Sequence, residues 1–153
     1  FSHAFMAQAG LTYQQSRYKE PEEWSENPEV AAEKRMFRTP DLYGYFTIQY
    51  TPTKSFSMSL TGTYSGSMLV QHMESSGAPI DVAVETPAFF DANFKVSKDF
   101  RIFPGVDMQV NAGVMNIFDS FQDDFDSGVD RDSGYIYGPM MPRSLYLGVK
   151  LSL

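Results

Sequence analysis

From Phe56 to Met68, every second residue is apolar or glycine and every residue between them is Ser or Thr. A helix would scatter these residues around its circumference. A strand places Phe56, Met58, Leu60, Tyr64 and Met68 on one face and the hydroxyls on the other. The same period of two runs through Leu42–Tyr50, Phe90–Ser97, Val106–Val114 and Leu145–Leu153, and more weakly through Phe5–Tyr13. These segments predict an all-β, antiparallel fold of about six strands. Several exceed the five or six residues usual in globular proteins, and nine to eleven is what a tilted membrane crossing requires.

The connections alternate too. Thr51–Ser55 and Phe103–Gly105 read as tight turns punctuated by Pro and Gly, whereas polar segments at 19 to 40, 74 to 88 and 119 to 142 are long. A soluble sandwich has no reason to keep short turns at one end and long loops at the other, but a transmembrane β-barrel does. Within the first long loop, Asn27, Pro28 and Glu29 followed by Lys34, Arg35 and Arg38 predict a short helix over about 28 to 38.

Composition removes several classes. With 20% charged and 42% apolar residues the chain is not intrinsically disordered, and net charge −7 with pI ≈ 4.7 offers nucleic acid no basic field. Cysteine is absent, which excludes disulfides and thiolate sites. Mean hydropathy of −0.30 and the lack of any long apolar run exclude a transmembrane helix. They do not exclude a barrel, whose two faces cancel in the average. The start at Phe1-Ser2-His3 reads as a processed chain or a piece of a longer one.

Aromatic residues gather near the proposed strand ends: Tyr13, Tyr18, Tyr43, Tyr45, Phe89, Phe90, Phe118, Phe121, Tyr135 and Tyr137 on the loop side, and Tyr50, Phe56, Phe100 and Phe103 on the turn side. They are expected to form two interfacial girdles. The third loop sets Asp119, Asp123, Asp124, Asp126, Asp130 and Asp132 against Arg131. It lacks the frame of an EF-hand, so a solvated acidic loop is favoured over a calcium site. Together with Trp24, a ring available for stacking, Asp123, Asp124, Asp126, Asp130 and Arg131 are the candidate ligand-binding residues. Asp91, Lys95, Asp107 and Lys150 fall on polar strand faces and are expected to satisfy one another across the strands. No catalytic set emerges: His3 and His72 lie apart, and neither a Gly-x-Ser-x-Gly elbow nor a phosphate loop is present. The chain is read as a non-enzyme without a cofactor.

Three motifs resemble the C-terminal part of TonB-dependent outer-membrane receptors of the Bacteroidetes type. Asn116-Ile117-Phe118-Asp119 ends an outward strand, as the family's Asn-(Leu/Ile)-Phe-Asp signature does. Pro142-Arg143 leads into the last strand, like the family's Pro-Gly-Arg without its glycine. Tyr146, Gly148, Leu151 and Leu153 resemble the outer-membrane assembly signal, with Leu in place of the usual terminal Phe. The resemblance implies that residues 1–153 supply about six strands of a 22-stranded barrel whose N-terminal plug is not in this chain. It further implies import of a scarce nutrient, a metal chelate such as a siderophore, haem or a corrinoid, energised by TonB through the plug. Implied partners are the remaining barrel strands and plug, membrane lipid and a surface lipoprotein; the long loops would be extracellular and the C-terminus periplasmic. The alternative is a soluble β-sandwich or small complete barrel that binds a ligand, in which the Leu145–Leu153 face packs on a second sheet.

Overall fold

The computed structural model of the chain describes residues 4–152, so His3 and Leu153 lie outside the described residues. Its strands are β1 (Phe5–Tyr13), β2 (Arg17–Glu22), β3 (Glu33–Arg35), β4 (Leu42–Thr53), β5 (Phe56–Ser65), β6 (Leu69–His72), β7 (Val82–Glu85), β8 (Phe89–Phe103), β9 (Val106–Met115) and β10 (Ser144–Ser152). Six of them form one antiparallel sheet in the order β1-β4-β5-β8-β9-β10, each long strand paired with the next in sequence. These are the six segments with a period of two. Tight turns join β4 to β5 and β8 to β9, the latter through Gly105 at φ 86, a left-handed conformation that glycine adopts without a steric cost. Residues 14–41, 66–88 and 116–143 form loops 1, 2 and 3 at the other end, and loops 1 and 2 carry the small hairpins β2-β3 and β6-β7.

The helix expected over 28 to 38 does not form. Asn27 does turn the chain, its Oδ1 accepting from the Glu29 amide at 3.0 Å and its carbonyl from the Val30 amide at 3.0 Å. The turn does not propagate, because an eleven-residue helix without an apolar face is marginal in water. Glu33–Arg35 instead pair with β2, and the cationic end is drawn into tertiary contacts: Arg35 to Glu85 at 2.6 Å, and Arg38 to the carbonyls of Gly134 and Ile136 at 2.6 and 2.8 Å.

Register makes the alternation two-dimensional. Ala7, Ile48, Leu60, Phe94, Val114 and Leu145 form one row across all six strands, and the row beneath it on that face runs Phe5, Tyr50, Met58, Val96, Ala112 and Leu147. The opposite face carries the row Met6, Gln49, Ser59, Lys95, Gly113 and Tyr146. The apolar face is open: Leu145, Leu147, Val149 and Leu151 are 80, 74, 61 and 63% exposed. The buried apolar residues, Leu69, Val70, Ala78, Phe89, Ala92 and Tyr135, gather instead at or near the loop end.

Two expectations about the faces change. Tyr43 and Tyr45 share the polar face with Gln8 and Thr12, and Tyr45 accepts from Gln8 at 3.0 Å, so neither belongs to a girdle on the apolar face. Tyr135 is buried within the loops. The four charged residues expected to pair with one another do not. Asp107 faces Arg101 at 3.4 Å, Asp99 accepts from Gln109 at 2.8 Å, and the buried Oδ1 of Asp91 has no hydrogen-bond partner among the described residues.

Candidate functional site: the loop cap

Loop 3 is folded on two buried amides. Gln122, 1% exposed, donates through Nε2 to the Tyr135 carbonyl at 3.1 Å and accepts at Oε1 from the amides of Tyr137 and Gly138 at 2.9 and 3.3 Å. Asn116 holds the neck. It adopts φ 49, receives the Ser120 amide on Oδ1 at 2.9 Å and donates through Nδ2 to the carbonyls of Met141 and Ser120 at 2.9 and 3.3 Å. Asp119, at φ 56, accepts the Arg143 amide at 2.7 Å. The positions of the Asn-Ile-Phe-Asp and Pro-Arg motifs are thereby bonded to each other across loop 3. Ile117 donates to the Ala92 carbonyl at 2.8 Å, and the Phe118 ring packs on Phe90 at 5.3 Å.

Loops 2 and 3 meet at His72, whose ring stacks on Tyr135 at 3.8 Å with Nε2 3.2 Å from Asp126 Oδ2. The Asp126 carboxyl is held down to about 2 by the Ser75 hydroxyl first and the Asp132 amide second, with His72 adding to it. Ser75 Oγ also lies 3.3 Å from the same Nε2, so Ser75, His72 and Asp126 all meet at one ring nitrogen. A nucleophile relay needs serine and acid on opposite ring nitrogens; this cluster is a loop tie. Asp124 accepts from the hydroxyls of Tyr137 and Tyr135 at 2.6 and 3.2 Å, and burial together with this carboxylate pushes both phenols up. Loop 1 joins through Ser25 to Asp81 at 2.6 Å, through Arg35 to Glu85 and through Arg38. The Arg35 guanidinium holds the Glu85 carboxyl low, and the Ser25 hydroxyl does the same for Asp81.

The candidate ligand residues separate into two places. Trp24 lines a cavity of about 220 Å³ with Tyr18, Glu22, Glu23, Glu33, Phe37 and Gln71; its Nε1 donates to the Ala31 carbonyl at 3.0 Å and its ring meets Phe37 edge-on at 5.1 Å. None of the aspartates of loop 3 reaches that cavity. Asp124 and Asp126 serve as acceptors inside the cap. Asp123, Asp130 and Arg131 are exposed, with the Asp130 carbonyl bonded to the Ser76 amide and Arg131 to the Gly128 carbonyl at 3.0 Å each. Among the described residues, no three His, Asp or Glu side chains come together as a metal ligand set. On β10, Tyr146 and Gly148 face the polar side, Gly148 lying against the Asn111 side chain, while Leu151 faces the apolar side. Nothing local in the sequence marks Gln122 or Arg38 as a loop organiser, because the partners of both lie well along the chain.

No protein-family model matches this sequence, and no curated protein does. Among solved structures, the chain matches the ferric-catecholate import receptor Fiu of Escherichia coli K12 in its closed form with a TM-score of 0.61 and 24% identity, over 99% of this chain and 19% of that one. The likeness shows the fold: the six-stranded sheet is laid out as a segment of that receptor. The chain spans less than a fifth of the receptor it matches.

Proposed function

We propose that this chain is the C-terminal wall segment of a TonB-dependent outer-membrane import receptor. The observation that carries the reading is the sheet itself: apolar rows continuous across six strands lie open on one face, polar rows lie on the other, and all three long loops share one end. Lipid outside and a hydrated, plug-filled lumen inside satisfy both faces at once. β1 and β10, the first and last strands in the order of the sheet, then pair along their outer edges with the remaining strands of the receptor. A second sheet packed on Leu145–Leu151, which the soluble alternative requires, is not seen among the described residues.

In this reading the loop cap faces the outside and the C-terminus the periplasm, TonB acts through the plug, and a surface lipoprotein docks on the loops. The segment contributes wall and loops, not chemistry. The neighbour's name supports a metal chelate as the substrate class, and the charge of the loops narrows that class. The three loops hold sixteen acidic residues against seven Lys and Arg, a net of −9. A ferric tris-catecholate is trianionic, so a neutral or cationic chelate such as a corrinoid fits this face better. The neighbour is an E. coli receptor, and the Bacteroidetes affiliation rests on the motifs alone.

The test is receptor-dependent uptake of labelled corrinoid, haem and ferric siderophores by whole cells, with and without a protonophore. The reading predicts that one of them enters only when the receptor is present and the inner membrane is energised. Absence of receptor-dependent uptake of all three would overturn the import assignment.

A further inference from the structure

On the polar face, where β9 ends and loop 3 returns to β10, a cavity of about 240 Å³ is lined by Asp91, Asn93, Met115, Asn116, Met140 and Met141, together with two prolines and Ser144. Three of the nine methionines of the chain meet here. All three are unusually open for apolar side chains, at 49, 61 and 64% exposure. The backbone that carries two of them is pinned at every second residue: the Pro139 carbonyl accepts the Gln122 amide at 2.9 Å, the Met141 carbonyl accepts Asn116 Nδ2 at 2.9 Å, and the Arg143 amide reaches Asp119 at 2.7 Å. Hydrogen bonds within the loop thus hold Met140 and Met141 beside the cavity without burying them.

The polar walls are not equivalent. Asn93 Oδ1 is occupied by the Asn116 amide at 2.9 Å, and the Asn116 side chain is fully committed to loop 3. Asp91 differs, because its Oδ1 is buried and accepts no hydrogen bond among the described residues. A buried carboxylate oxygen without a donor is costly and calls for a missing partner. The same cavity is lined by Met115, Met140 and Met141, whose thioethers are soft donors that select soft monovalent metals over hard divalent ones.

We propose that this cavity binds a soft monovalent cation, Cu(I) or its analogue Ag(I), through the thioethers of Met115, Met140 and Met141, with Asp91 as the counter-charge. One cation against one carboxylate leaves the site neutral, which removes the cost that the unpartnered Oδ1 represents. The site stands on these side chains whether or not the receptor imports a chelate.

The test is equilibrium binding of Ag(I), which needs no reductant, to the detergent-solubilised receptor containing this chain. Wild type is expected to show one saturable site. M115L/M140L/M141L, close in volume and altering no hydrogen bond of the neck, is expected to weaken it by at least about tenfold, and D91N by roughly tenfold. M36L/M73L, which removes two exposed methionines elsewhere, is expected to leave it unchanged. Retained binding in the triple variant, equal loss in M36L/M73L, or no saturable site in wild type would each overturn the proposal. The folded state of each variant is read from its resistance to SDS at room temperature.

Discussion

The ring of Tyr146 lies across Gly113, its directly opposed partner on β9, so closely that a Cβ at Gly113 would come within 2.6 Å of Cε1 and Cζ. The carbonyl oxygen of Phe94, on the other neighbouring strand, would be 2.5 Å from the same atom. An aromatic ring covering a cross-strand glycine pins register on the polar face. Tyr45 over Gly10 repeats the arrangement on that face.

These two pairs should respond differently. At Gly10 the obstructing atoms belong to the end of the Tyr45 ring, which can swing away; at Gly113 one of them is backbone. G113A is expected to destabilise the barrel by about 1–3 kcal/mol, as overpacking typically does, and G10A by less. Urea unfolding of the receptor in detergent reads both.

Asn116 should be the most sensitive residue of loop 3. Its φ of 49 favours Asn or Gly, and its side chain bonds Ser120 and Met141 while buried to 4% exposure. N116A leaves those groups unpaired and is expected to cost about 2–3 kcal/mol. N116G relieves the backbone but not the lost bonds, so it should recover only part of the loss. Thermal conversion of the SDS-resistant form would show the order wild type, N116G, N116A.

The tie between loops 2 and 3 should resist acid. The Asp126 carboxyl titrates at about 2 when folded, below an ordinary aspartate near 3.9. A depressed folded value means that the contribution is fully present above about pH 4 and is lost as pH falls through about 2. Protection of the Asp132 amide, which donates to Asp126 at 2.8 Å, measured against its intrinsic exchange rate at each pH, is expected to hold down to about pH 4 and to fall as pH drops toward about 2. In D126A, which removes the acceptor, it should be low throughout.

Tyr137 should stay protonated where ordinary tyrosines ionise. Burial first, and then its bond to Asp124 at 2.6 Å, push its phenol up. The ultraviolet difference between wild type and Y137F is expected to show no phenolate at about pH 10, where a free tyrosine is half ionised. In D124N the phenolate should form at lower pH than in wild type.

The six long strands were legible because one rule, apolar at every second residue, is enforced over nine or more positions by a face that must stay apolar. The hairpins at Leu69–His72 and Val82–Glu85 were not, since four residues are too few to establish a period. The helix failed for a related reason. Caps and end charges at Asn27 and Arg38 are local signals, and what decided that segment was distant: Glu85 for Arg35, and the carbonyls of residues 134 and 136 for Arg38. Asn116 and Asp119 stood out as a motif, but their work depends on left-handed backbone and on partners more than twenty residues away, at Met141 and Arg143. That Tyr43 and Tyr45 lie opposite Leu42, Phe46 and Ile48 was already set by the period of two; the register of β4 on β1 adds that Thr12 and Gly10 stand across from them.

The central claim is that the row ending in Leu145, Leu147, Val149 and Leu151 faces lipid. Nitroxide scanning from Leu145 to Ser152 in the receptor reconstituted into bilayers tests it directly, with oxygen reporting lipid and a nickel chelate reporting water. The account predicts oxygen accessibility that peaks at 145, 147, 149 and 151 and falls at 146, 148, 150 and 152, with the nickel chelate excluded from the odd positions. Low oxygen accessibility at the odd positions, as in a face packed on a second sheet, or the loss of alternation altogether, would contradict it.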